Sequence, residues 1–164
     1  MAGSWVAAAR EQQVAAALEA VYAGVAREVE ARGPVCWASG RCCNFKRAGH
    51  RLYVTGLEAA YAVLRAVRSV EREPGRWPLT VLDVERARAG GGCPYQEGNL
   101  CGAHASRPLG CRVYFCDRSA QAWQHALSER AMGEVRALHE AHAIVYRYGE
   151  WRGMLEAVAP LVSA

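Results

Sequence analysis

Seven cysteines fall in two short stretches, and this distribution constrains the fold more than any other feature of the chain. Cys36, Cys42 and Cys43 lie in the first stretch; Cys93, Cys101, Cys111 and Cys116 lie in the second. Neither stretch keeps a helical period, whereas the segments around them do. Irregular backbone suits a thiolate site, because ligands must converge on one point and loops re-aim side chains more freely than helices. A chain of 164 residues, 52% hydrophobic, can bury a core without crosslinks. Seven is odd, so complete pairing within the chain is impossible. The first residues carry Arg10 and Glu11 where a secretory signal would be apolar. No run of about 18 apolar residues exists, so no membrane partner is expected. The expected setting is cytoplasmic, where disulfides are rare. Cysteines at this density then read as metal ligands or redox groups.

The remaining sequence reads as a single, mainly α domain spanning 1–164. It is a helical scaffold with two cysteine-rich irregular loops and a small β-hairpin, the cysteine region running over about 35–118. Val14, Leu18, Val21, Tyr22, Val25 and Val29 recur at helical spacing, which predicts one helix from about Ser4 to Arg32, stopped by Gly33-Pro34. Thr55 and Glu58 form a capping-box pattern. The helix they open has Leu57, Ala60, Tyr61, Leu64 and Val67 on one face and ends before Pro74 and Pro78. Thr80 and Asp83 open a shorter helix over about Val81–Ala89, closed by Gly90 to Gly92. Glu97-Gly98-Asn99 predicts a tight hairpin that brings Cys93 and Cys101 together. A long helix is expected from about Ser119 to Tyr148, with Gly149 as its C-cap, and a short one over Glu150–Ala159. His142 lies on the apolar stripe of the long helix and reads as a core histidine. Trp37, Trp77, Trp123 and Trp151 also read as core.

Thiolates are soft ligands that suit zinc, iron and iron–sulfur clusters. The hairpin closed by Cys93 and Cys101 makes one half-site, and Cys111 with Cys116 makes another across a short turn. Cys42 and Cys43 are adjacent, so their side chains tend to diverge. One would bind while the other supports it, or the two would serve different metals. The ligand candidates are all seven cysteines.

These motifs in this order resemble the zinc- or iron-chelating domain family named for its C-x-x-C-x-x-C-C motif, often called YkgJ-like. The first motif corresponds to Cys36-Trp37-Ala38-Ser39-Gly40-Arg41-Cys42-Cys43. The family's threonine–x–x–glutamate helix start corresponds to Thr55 to Glu58, and its hairpin pair to Cys93-Pro94-Tyr95 and Cys101. Its Arg-Pro-x-x-Cys-Arg element corresponds to Arg107 to Arg112, and a last cysteine to Cys116. The resemblance covers about Cys36 to Asp117 and implies chelation of zinc or iron by these cysteines. One position departs from it: Ser39 stands where the family has its second cysteine. A serine oxygen is a poor ligand for either metal, so His50, His104, Asp117 or water would complete a site that needs this position.

Arg107 and Arg112 flank Cys111. They would hold an anion or stabilise thiolate charge, or more simply pair with a helix carboxylate such as Glu58. The formal charge is +4, and nineteen of the twenty basic residues are arginines, Lys46 being the single lysine. Arg41, Lys46, Arg47 and Arg51 cluster, yet the balance falls short of a nucleic-acid footprint, so nucleic acid is not an expected partner. No nucleophile–base pair or carboxylate dyad stands out, and Gly90 to Gly92 lack the Gly-Lys-Ser/Thr of a phosphate loop. The expectation is a metal-binding protein whose cofactor is a zinc ion, an iron ion or an iron–sulfur cluster. An iron-dependent enzyme or redox protein is the second reading, and a zinc-dependent nucleic-acid or protein adaptor the third.

Overall fold

The computed structural model describes residues 1–66 and 79–163. Val67, Pro74, Trp77 and Pro78, assigned above to a helix face, to helix ends and to the core, lie outside them. The protein is mainly α, as the hydrophobic periods predict.

The first helical segment is two helices. α1 spans Ala2–Arg10 and α2 spans Gln12–Arg32, separated by Glu11 in an extended conformation. The single-helix expectation is corrected here, and its physical cause is visible in the sequence. Arg10, Glu11, Gln12 and Gln13 are four consecutive polar residues that interrupt the apolar stripe between Ala9 and Val14. The break lets the two apolar faces point in different directions. α1 packs on the central helix α4 (Gly56–Arg65) and on α8 (Trp151–Ser163), while α2 packs on α7 (Gln121–Ala141). Trp5 sets the α1–α4 distance. A Cβ on Gly56 would stand 2.2 Å from the Trp5 ring, so only glycine fits there.

α4 is buried from Gly56 to Val63 and forms the middle of the core. Its capping box is formed: Thr55 Oγ1 accepts the Glu58 N–H, and the Glu58 carboxyl accepts the Thr55 N–H. α5 (Val81–Gly90) begins with the analogous box of Thr80 and Asp83 and packs on α8.

The long C-terminal helix stops at Ala141, short of Tyr148. Ala143 adopts a left-handed conformation (φ 51°), the Ile144 N–H bonds the His139 carbonyl at 2.8 Å, and the Ala143 N–H bonds the Glu140 carbonyl at 3.2 Å. This is a Schellman ending with alanine where glycine is usual. Gly149 is therefore not a helix cap. It lies in strand β4 (Tyr148–Glu150), which pairs antiparallel with β1 (Tyr53–Thr55) in the register Val54↔Gly149. The early stop also exchanges the two histidines of this segment. His139 is 1% exposed and packs edge-on against Tyr146, whereas His142 is exposed. Among the described residues, no helix is long and apolar enough to cross a membrane.

Candidate metal centre

Four separate segments meet beside α4. Cys42 and Cys43 precede the short helix α3 (Phe45–Ala48), whose first turn is capped by the Asn44 side chain. Cys93 follows α5. Cys101 lies in β3 (Leu100–Cys101), which pairs with β2 (Gln96–Glu97) around Gly98 and Asn99, the hairpin read from the sequence. Cys111 sits in the short helix α6 (Leu109–Val113).

Backbone bonds hold these segments together. The Cys93 N–H bonds the Cys43 carbonyl at 2.8 Å, and the Lys46 N–H bonds the Gly91 carbonyl at 2.9 Å. Gly91 is left-handed (φ 77°), and a Cβ there would stand 2.6 Å from the Lys46 side chain. At the far side, the Glu58 carboxyl accepts the Leu109 N–H at 2.8 Å and the Tyr22 hydroxyl at 3.3 Å. The central helix thus fixes the start of the helix that carries Cys111.

Cys42, Cys43, Cys93, Cys101 and Cys111 line one cavity of about 20 Å³. Arg107 is in its wall, with Phe45, Tyr95 and Trp151 on the apolar side. A cavity of this size holds about one water-sized species. Cys42 is exposed and Cys43 buried, while the other three are half-buried. As the side chains stand, no three His, Cys, Asp or Glu among the described residues are arranged to hold a metal ion.

The sulfurs are surrounded by donors. The Trp151 indole N–H donates to Cys93 Sγ at 3.3 Å, and the Tyr95 amide donates to the same sulfur. The Ala103 amide lowers the pKa of Cys101, and the Cys43 amide lowers that of Cys42. The Cys43 thiol lies against both Cys101 and Cys42, which lowers the pKa of those two thiols and raises its own. Burial pushes Cys93 up to about 12 and raises Cys111 well above the ordinary thiol value. Arg107 acts on Cys42, Cys101 and Cys111 in the opposite direction. None of the ion pairs among the described residues uses Arg107, and its Nε is buried without a hydrogen-bond partner. A cation turned toward thiols and unmatched by a carboxylate favours their ionised form.

The other candidates lie outside the cavity wall. Cys36 is exposed. Ser39 accepts the Arg41 N–H within its own turn. Cys116 is half-buried and meets the Tyr114 hydroxyl. Asp117 caps a turn through Ser119 and accepts the Val35 N–H at 3.5 Å. His50 stacks on Tyr114, and His104 is exposed on a one-turn 3-10 helix. Arg112 lies 3.9 Å over the Tyr22 ring and donates to the carbonyls of Arg107 and Ala105. The simple ion-pair expectation for Arg107 and Arg112 is corrected, because backbone, hydroxyl and amide donors occupy both Glu58 oxygens. Trp37, read as core, is 61% exposed beside the left-handed Ala38. Arg41, Lys46, Arg47 and Arg51 are exposed around α3.

Sequence reasoning missed Trp151 as a partner of Cys93. The two are 58 residues apart, and a tryptophan opening a helix carries no signal of what its N–H will meet. It also missed that Glu58 reaches Leu109, because the capping box already accounts for that glutamate locally. Compared with family models, with curated proteins and with solved structures, the chain matches none.

Proposed function

We propose that this protein binds a single thiophilic metal ion, zinc or iron, through four thiolates drawn from Cys42, Cys43, Cys93, Cys101 and Cys111, with one of the adjacent pair Cys42 and Cys43 in support. One observation carries the reading: five thiols from four separate segments line one small cavity, with no carboxylate among its described lining residues. All-sulfur donor sets select zinc, iron and other soft ions over magnesium or calcium. The cavity volume supports a single ion over an iron–sulfur cluster, and the sulfur-directed N–H groups with Arg107 support thiolates. The resemblance to the zinc- or iron-chelating family points the same way. Binding requires the thiols to draw in, and the exposed Cys42 and the hairpin are the parts at the surface. Cys36 and Cys116 have no part in this centre. The role is binding rather than catalysis, in a reducing, cytoplasmic setting that keeps the thiols free.

Metal-protected alkylation tests the reading. Apo-protein and protein loaded with one equivalent of zinc are alkylated, and each cysteine is assigned by mass spectrometry. Zinc is expected to protect the cavity cysteines and leave Cys36 and Cys116 reactive. Protection of Cys36 and Cys116 instead, or no protection anywhere, would contradict the proposal.

A further inference from the structure

We propose, on the basis of the metal-centre reading above, that Trp151 is a positioning residue of that centre. Its indole N–H, 3.3 Å from Cys93 Sγ, orients this sulfur as a ligand and takes up part of its charge when a metal binds.

The geometry is particular. Trp151 is 2% exposed and opens α8. Its backbone N–H bonds the Leu52 carbonyl at 2.9 Å, and its ring leans on Tyr95 at 6.2 Å between centroids. Its backbone is thus anchored and its ring enclosed. Trp5, also fully buried, places its N–H on an ordinary carbonyl, Val145 O, at 2.8 Å. Trp151 has a sulfur instead. A neutral thiol is a weak acceptor, whereas a thiolate or metal-bound sulfur accepts a charge-assisted bond that is roughly twice as strong. The contact is therefore stronger with Cys93 as a metal ligand than with Cys93 as a free thiol. Cys93 also receives the Tyr95 amide from its own turn, so a local and a long-range N–H group converge on one sulfur. Donors of this kind fix ligand orientation and tune the metal.

The two functions of the indole, filling space and donating, are separated by Trp151→Phe, which keeps an aromatic ring and removes the N–H. Trp5→Phe is the control, losing an indole bond remote from the cavity. Co²⁺ is titrated into each apo-protein, following sulfur-to-cobalt charge-transfer absorption. Trp151→Phe is expected to move that band to lower energy and weaken cobalt binding by about tenfold; Trp5→Phe is expected to do neither. A band and an affinity unchanged in Trp151→Phe, with normal uptake by the wild type, overturn the role of Trp151 alone. A wild type that takes up no cobalt overturns the metal centre and this inference together. A second measurement needs no variant: in protein loaded with a spin-half cadmium isotope, the Trp151 indole proton is expected to shift and to couple to the metal. An indole proton that does neither overturns the proposal.

Discussion

The Glu58 carboxyl group accepts the backbone N–H of Leu109 at 2.8 Å across 51 residues of sequence. The same group caps α4 through Thr55 and takes the Tyr22 hydroxyl. A residue that is 1% exposed thus satisfies donors from α2, β1 and α6. Glu58→Ala leaves these donors buried and unpaired, at a cost of about 3–5 kcal/mol. Urea unfolding measures it, and a loss within about 0.5 kcal/mol would contradict the arrangement. Because α6 carries Cys111, metal affinity should fall in the same variant even where it remains folded.

His139 gives the fold an acid sensitivity unrelated to the thiols. Burial lowers its pKa below the usual 6.5, so the folded state resists protonation. Its contribution is present in full above about pH 6.5 and declines as pH falls through and below that value, where the unfolded chain binds the proton more readily. His139→Phe, which fills the same space against Tyr146, should remove part of this decline. Urea midpoints at about pH 8 and about pH 5 measure it. The acid-side loss should be smaller in the variant, the remainder including half-buried His50, whose pKa burial also lowers. An equal loss in both proteins would contradict the assignment.

Ala143 holds a left-handed conformation that glycine adopts without cost. Ala143→Gly should therefore stabilise the protein by about 0.5–1 kcal/mol, despite the added freedom of the unfolded chain. Thermal unfolding with the zinc content held fixed measures the change. A lower melting temperature would mean that the Schellman ending after α7 is not the conformation in solution.

Much of this architecture was legible because it is local. The capping boxes at Thr55 and Thr80 and the Gly98 hairpin depend on neighbouring residues, and each is formed. The elements misread are those where a local signal was absent or pointed elsewhere. Alanine at 143 gave no sign of a helix end, so the stripe was carried on through His142 and strand β4 was lost within it. The break at Glu11 had a signal, four polar residues in a row, which the periodicity on either side outweighed. For the candidate site, the cysteine clustering is legible in the sequence, but spacing could not say which thiols share a cavity. Cys111 and Cys116, paired as a half-site by proximity in sequence, separate because α6 turns one toward the cavity while the chain beyond Tyr114 carries the other away from its wall. Long-range partners such as Trp151 for Cys93 follow from tertiary packing alone.

The most direct test is metal content with visible absorption, on protein purified without oxygen from metal-replete cells, for the wild type and two variants. The double variant Cys36→Ser/Cys116→Ser removes the thiols outside the cavity, and Cys101→Ser removes one inside it. The account predicts about one zinc or iron per chain in the wild type and in the double variant, and strongly reduced metal in Cys101→Ser. It predicts no broad band near about 400 nm of the kind that accompanies stoichiometric sulfide in a cluster. A wild type free of metal, or a Cys101→Ser protein that retains it while the double variant loses it, would contradict a centre in this cavity.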